Sequence, residues 1–318
     1  MMAASVSRPH DRDDDLPAVV RRVVVLCNPA SGRGQAVARA RQCAATLASD
    51  GHEVITLDIQ RDQPTSLAEA LVGADVLVVA GGDGTLHRAL PALAHSRTAV
   101  YHCPMGTENL FAREFGMVRD ARAIALAVRA AQTHAIDLAR CNTTLFALFT
   151  GAGFDARVVH TLDQGQRGAI TKTSYARPII RTAREYRSPA WTVTVDGRIT
   201  AERTHGALLI ANTRQYGGRL DPAPRASMVD GRLDVVLLPS RGSFGLAAWA
   251  LASRLRLHTR HPRLMYETGR HIAIQADAPP FPIQCDGEPT DAAVRSLIIE
   301  VMPGALRILV PPKLRGIT

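Results

Sequence analysis

An apolar run from Ala74 to Ala80 leads directly into Gly81-Gly82-Asp83-Gly84-Thr85, followed by Leu86, His87 and a helix-forming stretch. Glycines in a strand-to-helix turn let a phosphate chain lie against the backbone, and the N–H groups that open the helix favour negative charge. Asp83 would then set a carboxylate where a divalent cation bridges phosphates. Two more loops of small residues follow apolar runs: Asn28-Pro29-Ala30-Ser31-Gly32 after VVVLC, and Pro104-Met105-Gly106-Thr107-Glu108-Asn109 after TAVYHC. Open α/β sheets bind ligands beyond the carboxyl ends of their strands, so three such loops on one edge outline a nucleotide cleft. Each loop alone is also ordinary turn chemistry, with Ser31 or Thr107 capping a helix. Three acidic positions stand apart from these loops: Asp137, Asp230-Gly231 and Asp286-Gly287-Glu288. Asp-Gly pairs are common hairpin turns, Asp196-Gly197 among them, and Asp137 alone reads as a strand-end acid.

The elements that must position these residues fall into two styles. From Arg22 to about Asp137, continuous apolar runs (VVVLCN, HEVITLDI, ADVLVVA) alternate with helix-like stretches, Gln35 to Ala48 and Asp120 to about Thr133 among them. Strands apolar on both faces and separated by helices predict a parallel sheet covered on both sides. Beyond it the text alternates with period two, as in Trp191-Thr192-Val193-Thr194-Val195, and THGALLIAN, GRLDVVLLP, RHIAIQA, PIQCDGEP and RSLIIEVM follow. The fold class predicted is an α/β N-terminal domain with a parallel sheet, plus a C-terminal antiparallel β-sandwich domain carrying one helix near Phe244 to Leu257. The expected boundaries are a disordered tail over 1–21, a nucleotide-binding domain over 22–138, a β-rich domain over 139–302 and a C-terminal strand over 303–318 that can return to either domain.

At 318 residues the chain is long enough for about two domains. No apolar run approaches the roughly 18 residues a spanning helix needs; Phe244 to Leu257 is short and broken by Ser253, Arg254 and Arg256. The N-terminus has no apolar core of a signal peptide, so a cytoplasmic location is expected. Five cysteines without CxxC or CxxH spacing suggest neither disulfide framework nor zinc site, and read as buried thiols. The formal charge is +9, with 38 basic residues of which only Lys172 and Lys313 are lysines. That balance suits a membrane surface, a nucleic acid or a phosphorylated ligand, and also a plainly solvated basic face. There is no G-x-x-x-x-G-K-[ST], and no G-x-G-x-x-G opens the first helix, which argues against a P-loop protein and ordinary Rossmann binding. Basic stretches over 166–187 (Arg167, Lys172, Arg177, Arg181, Arg184, Arg187) and 253–270 (Arg254, Arg256, Arg260, Arg263) suit docking on anionic lipid. Nucleic acid is discounted, because the basic runs lack aromatic interleaving.

In order along the chain, NPASG, GGDGT, PMGTENLFA, GAGFDA over 151–156, Y-G-G with DGRLDVVLLP, and Cys285-Asp286-Gly287-Glu288-Pro289 resemble the motifs of the diacylglycerol kinase catalytic-domain family, which includes soluble bacterial lipid kinases and sphingosine and ceramide kinases. The resemblance spans about residues 22 to 312. It implies a kinase that uses ATP and Mg2+ to phosphorylate a lipid alcohol, diacylglycerol or a sphingoid-type alcohol. The enzyme would work at a membrane surface, cytoplasmic and peripherally associated, with anionic phospholipid as a partner and a homodimer left open. By motif, Asn28, Pro29, Ala30, Ser31, Gly32, Gly81, Gly82, Asp83, Gly84, Thr85, Leu86, His87, Thr107 and Asn109 would cradle the nucleotide. Asp83 and Asp137 would belong to a water-linked acidic network around the catalytic magnesium. Asp286 would be the general base, with Glu288 the other acid of that motif. Asp230, with the backbone oxygens of Ser227 and Arg232, matches a structural magnesium site. Two departures stand out: Leu110 replaces an aspartate common in bacterial members, and His87-Arg88 replaces the usual Asn-Glu. NAD kinases share GGDGT and a similar plan, and a non-catalytic lipid-binding protein of this fold is a second alternative.

Overall fold

The computed structural model describes residues 20–59, 64–165, 187–240, 242–277, 280–290 and 293–311. In the N-terminal part, β1 (Arg22–Cys27), β2 (Glu53–Asp58), β3 (Val76–Gly81) and β4 (Ala99–Pro104) are parallel, in the order β2-β1-β3-β4. Val76 to Gly81 is buried throughout, as expected of a central strand covered on both faces. β2 differs: it is the edge strand and only partly buried, so its apolar residues cover the flank of the sheet and not its centre. Helices α1 (Gln35–Ser49), α2 (Pro64–Ala70), α3 (Asp83–Leu93), α4 (Leu110–Glu114) and α5 (Ala121–Ala130) connect the strands. The Asp120 carboxylate accepts the Ala123 N–H and caps α5. That helix stops earlier than the sequence suggests. Ala131 turns left-handed at φ +51°, and Thr133 is already in a strand, where pairing with the C-terminal strand outweighs local helix preference.

The second part is antiparallel. Strands β5 (Thr133–Cys141), β6 (Thr144–Phe146) and β7 (Phe149–Ala152) precede α6 (Phe154–Gly165), a helix that the flanking glycines of GAGFDA did not announce. Then come β8 (Ala190–Val195), β9 (Arg198–Ala211), β10 (Leu233–Pro239), α7 (Ser243–Arg254), β11 (Met265–Gly269), β12 (His271–Ala276), β13 (Ile283–Cys285), β14 (Glu288–Pro289) and β15 (Ser296–Leu309). Two layers face each other around a second core of Trp191, Val193, Ile210, Val235, Ile272, Ile283 and Ile299, which gives the sandwich its inner face. β9 pairs with β8 in one layer and with β7 and β10 in the other. β15 is a single strand that pairs with β12, with β5 and, through Arg307 and Ile308, in parallel with β4. It thereby extends the N-terminal parallel sheet. Residues 1–19, and most of the basic stretch 166–187, lie outside the described residues.

All five cysteines are free and buried, as expected. No described helix is long and apolar enough to cross a membrane. On α7, Leu246 and Trp249 turn inward while Leu251, and after it Leu255 and Leu257, remain exposed. The neighbouring arginines are partly engaged: Arg256 pairs with Asp221 at 2.8 Å and Arg254 donates to the Gly218 carbonyl.

Candidate active site

β3 ends in Gly81, and α3 begins at Asp83 with Gly82 as its N-cap, which offers no side chain to the first turn. Thr85 and Asn28 tie this turn to the loop after β1: Asn28 Nδ2 donates to Thr85 Oγ1 at 2.9 Å, and Asn28 Oδ1 accepts the Ala30 N–H. The loop after β4 closes on itself, because Asn109 Oδ1 accepts the Gly106 N–H at 2.7 Å and its Nδ2 donates to the Gly106 carbonyl. The two loops then meet backbone to backbone. A Cβ placed on Gly106 would stand 2.7 Å from the Gly82 Cα, and one on Gly82 would stand 3.1 Å from the Gly106 Cα. Only glycine at both positions permits this approach. Beside the contact opens a cleft of about 370 Å³, lined by Gly32, Pro104, Met105, Gly106, Asn109 and Arg119. Pro29, Ala30 and Ser31 lie in the adjoining turn, and Thr107 is exposed at the tip of the other loop.

Asp83 points back into the protein. Its two oxygens accept the Leu110 and Phe111 N–H groups at 3.0 and 3.1 Å, so it fixes the start of α4. This gives the Leu110 departure a physical setting: the residue contributes a backbone N–H to Asp83 while its side chain is buried in the core. Beneath the turn, His102 is fully buried with Nε2 against the Gly81 carbonyl. Burial pushes its pKa down, against the opposing charge of Asp83 and the Gly81 bond.

Farther along α3 the sandwich comes into contact. Leu86 is buried in the core, and His87 Nδ1 lies 3.2 Å from Asp286 Oδ2. The carboxylate of Glu288 rests against Gly84, so β14 and the first turns of α3 interlock. Asp286 and Gly287 form the β13–β14 turn at φ +54° and +83°, which makes this a hairpin of the ordinary Asp-Gly kind. Its carboxylate does more than form a turn. Oδ1 accepts the Leu148 and Phe149 N–H groups, and Oδ2 accepts that of Ala147 and faces His87. Burial acts on His87 to lower its pKa, but the bond to Asp286 and the charges of Asp286 and Glu288 together outweigh that and Arg88, leaving it raised.

Around this contact stand groups the sequence did not single out. Gln284 donates to Asp155 at 2.7 Å and accepts the Gly287 N–H at 2.7 Å, holding the hairpin. Burial raises the pKa of the Asp155 carboxyl, with bonds from Tyr216 and Gln284 opposing. Tyr216 also packs on Phe149 with ring centroids 4.8 Å apart. A carboxyl next to a Gly-rich strand was the available signal, since Asp155 lies in the GAGFDA run.

Asp137 and Asp230 meet elsewhere. Asp137 is buried, and its oxygens accept the Gly231 N–H at 2.7 Å and the Gly304 N–H at 2.8 Å. Its direct bonds therefore join it to the Asp230 turn and the β15 bulge, and none of them is shared with Asp83. Asp230 Oδ1 accepts the Arg232 N–H at 3.0 Å, Ser227 Oγ accepts that of Val229, and the Arg232 guanidinium turns away to the Thr268 carbonyl. Among the described residues, no three His, Cys, Asp or Glu side chains converge as a metal cluster.

The chain matches the model of the diacylglycerol kinase catalytic domain over residues 22–141 and that of the YegS C-terminal NAD kinase beta sandwich-like domain over 149–310. It is 28% identical to a diacylglycerol kinase of Mycobacterium tuberculosis, across 92% of this chain and 96% of that one. It is 32% identical to a "probable lipid kinase YegS-like" of Pseudomonas aeruginosa, across 76% and 79%. Among solved structures, a Bacillus anthracis diacylglycerol kinase superposes with a TM-score of 0.68 at 19% identity over 92% of this chain and 97% of that one. An Archaeoglobus fulgidus NAD kinase in complex with ATP gives 0.56 at 14%, over 92% and 94%. These last two likenesses establish the fold.

Proposed function

The chain belongs to the family of bacterial diacylglycerol kinases and YegS-like lipid kinases, and from that premise we propose that it transfers the γ-phosphate of ATP to the hydroxyl of a diacylglycerol or sphingoid-type alcohol at a membrane surface. One observation carries the reading. The first turns of α3 are held on one side by the Gly82–Gly106 contact beside the cleft, and on the other by Asp286 and Glu288 of the sandwich. A single rigid element thus lies between a place for a nucleotide and a place for an acceptor.

The residues present fit a nucleotide. Side chains are excluded where the two glycine loops touch, and α3 opens without a side-chain cap, so a phosphate can approach backbone N–H groups. In this reading Asn28 to Gly32 and Thr107 to Asn109 form the walls, and Asn28, Thr85 and Asn109 act mainly by holding the loops in shape. They also fit magnesium. Each oxygen of Asp83 accepts one N–H and keeps a second lone pair for a metal-bound water. Such an ion would supply charge neutralisation on the phosphates. Asp230, with the carbonyls of Ser227 and Arg232, would supply the all-oxygen set of the kind a hard cation takes, and Asp137 holds that turn through the Gly231 N–H.

On the lipid side, exposed Leu251, Leu255 and Leu257 near Arg254, Arg260 and Arg263 present an apolar strip rimmed with positive charge, the chemistry that docks on anionic phospholipid. The test is transfer of radiolabelled phosphate from ATP to a panel of lipid alcohols in mixed micelles, with NAD as a soluble acceptor. Label on lipid is expected; label on NAD and none on lipid would overturn the proposal in favour of the NAD kinase alternative.

A further inference from the structure

The geometry points to His87, and not Asp286, as the group that takes the proton from the attacking lipid hydroxyl, with Asp286 as the residue that orients it. This rests on the lipid kinase reading above and deepens it.

An ionised carboxylate offers about four acceptor sites. Asp286 uses two on Oδ1, for Leu148 and Phe149, and two on Oδ2, for Ala147 and His87. No site remains on it for a substrate proton unless a bond to the protein is first broken. Three of the four donors are backbone N–H groups of one short segment, held in place by β6 and β7, and cannot turn aside.

His87 is in the opposite condition. Because the Asp286 oxygens act as acceptors, the imidazole proton must sit on Nδ1, which leaves Nε2 in the neutral ring as a bare acceptor. Nε2 has no hydrogen-bond partner among the described residues, and the side chain keeps 14% of its surface exposed. A ring nitrogen left without a partner there, on an imidazole tied through its other nitrogen to a carboxylate, is the arrangement of a base held by an orienting acid.

The location agrees. His87 lies five residues along α3 from Gly82, about 7.5 Å of helix axis from the loop contact beside the nucleotide cleft. Among the described residues, the charged groups facing it are Asp286 and Glu288 from the sandwich and Arg88 from its own helix; β6, which also packs on α3, brings no titratable side chain. The two acids hold the imidazole proton-hungry, and their effect outweighs that of burial and Arg88.

The hydroxyl oxygen forms its bond to the γ-phosphorus of ATP, the bond from that phosphorus to the bridging oxygen breaks, and ADP leaves with the electron pair. The hydroxyl proton moves to Nε2, and the imidazolium later releases it to water. Asp286 stays ionised and keeps Nδ1–H pointed at itself throughout.

The test compares kcat against pH for the wild type, His87→Asn and His87→Ala in the mixed-micelle assay. His87→Asn can still donate from its amide to Asp286 but has no basic nitrogen. It should keep nucleotide affinity and, above the raised folded pKa of His87, a thermal stability close to that of the wild type, while kcat falls by on the order of 10²-fold. Since the base must be neutral, wild-type kcat should rise with pH through a midpoint above the ordinary histidine value of about 6.5. His87→Asn should lose that acidic limb, and added imidazole should restore His87→Ala saturably. Retention of wild-type kcat and pH profile by His87→Asn, with no imidazole rescue of His87→Ala, overturns the assignment while leaving the lipid kinase reading intact. Failure of the wild type to phosphorylate any lipid alcohol overturns that reading first, and the proton step with it.

Discussion

Two Asp-Gly turns in this chain share a backbone conformation and differ in what their carboxylates hold, which makes Asp286→Asn and Asp196→Asn an informative pair. Asp196 and Gly197 sit at φ +47° and +82°, Asp286 and Gly287 at +54° and +83°. Asp196 accepts the Arg270 and His271 N–H groups on a single oxygen, at an exposed position. Asparagine keeps one carbonyl oxygen, so both bonds can survive there. Asp286 needs both oxygens, for three backbone N–H groups and an imidazole, and is 7% exposed. In Asp286→Asn one oxygen becomes an NH₂ that points donor to donor. If the carbonyl stays on Leu148 and Phe149, the Ala147 N–H and His87 face the amide; if it flips, two N–H groups lose their acceptor. One to two buried donors left unsatisfied cost about 1 to 3 kcal/mol each, so a loss of about 1 to 6 kcal/mol is expected. At roughly 2 °C per kcal/mol for a chain of this size, Tm should fall by about 2 to 12 °C, against about 1 °C for Asp196→Asn. Thermal unfolding followed by near-UV circular dichroism at neutral pH measures both. Equal, small shifts for the two variants would show that the Asp286 carboxylate is not carrying the three N–H groups, and would remove the basis for treating it as a saturated acceptor.

Gly106→Ala should force the two glycine loops apart and weaken ATP binding at least tenfold in calorimetric titration, with the sandwich unaffected; wild-type affinity would disprove the close approach as a requirement. The pairing of His87 with Asp286 should stabilise the fold most below about pH 6.5, where the imidazole is charged in both states, and the gain should disappear as pH rises through the raised folded value. Tm of the wild type relative to His87→Asn, followed from about pH 6 to about pH 8.5, should therefore narrow with pH, and a constant difference would refute the coupling. Sedimentation with anionic vesicles should fall with salt and fall further in Leu251→Glu/Leu255→Glu; equal binding to neutral vesicles at low salt would count against the docking strip. The five buried thiols should react with a disulfide reagent only on unfolding, and fast reaction of any of them in the native protein would contradict their burial.

The strands and the loops were legible because each carries its own local signal. Runs such as Val76 to Ala80 are apolar on both faces, and the glycines of GGDGT and PMGTEN interrupt the chain where a sheet ends. The Asp196-Gly197 hairpin was legible for the same reason. What sequence could not supply is pairing over distance. His87 and Asp286 are 199 positions apart, and Asp137 and Gly231 are 94 apart. In the sequence His87 stands only as a departure from the family's usual Asn; in the structure it is the residue that reaches the Asp-Gly-Glu turn. Asp83 and Asp137, which the resemblance places in one water-linked acidic network, make their direct bonds to different loops, because each carboxylate satisfies backbone N–H groups of its own. The end of α5 and the presence of α6 were missed because β15 pairing and sandwich packing override weak local preferences.

The placement of α3 explains why one short motif can serve two substrates. A loop alone would move with whichever ligand it touched. Here the GGDGT turn is continuous with an 11-residue helix whose inner face, Leu86, Ala89, Leu90 and Leu93, is buried in the core. Gly82 cannot shift without meeting Gly106, and His87 cannot turn without leaving Asp286. A nucleotide beside the first glycines and a hydroxyl near the imidazole would therefore be held at a separation set by helix geometry, and not by two independent loops. Positioning of this kind is most of what phosphoryl transfer asks of a protein. It also follows that substitutions which loosen α3 from the core, Leu90→Ala for example, should raise the KM for both substrates together, whereas changes at Gly106 or His87 should act on one side only.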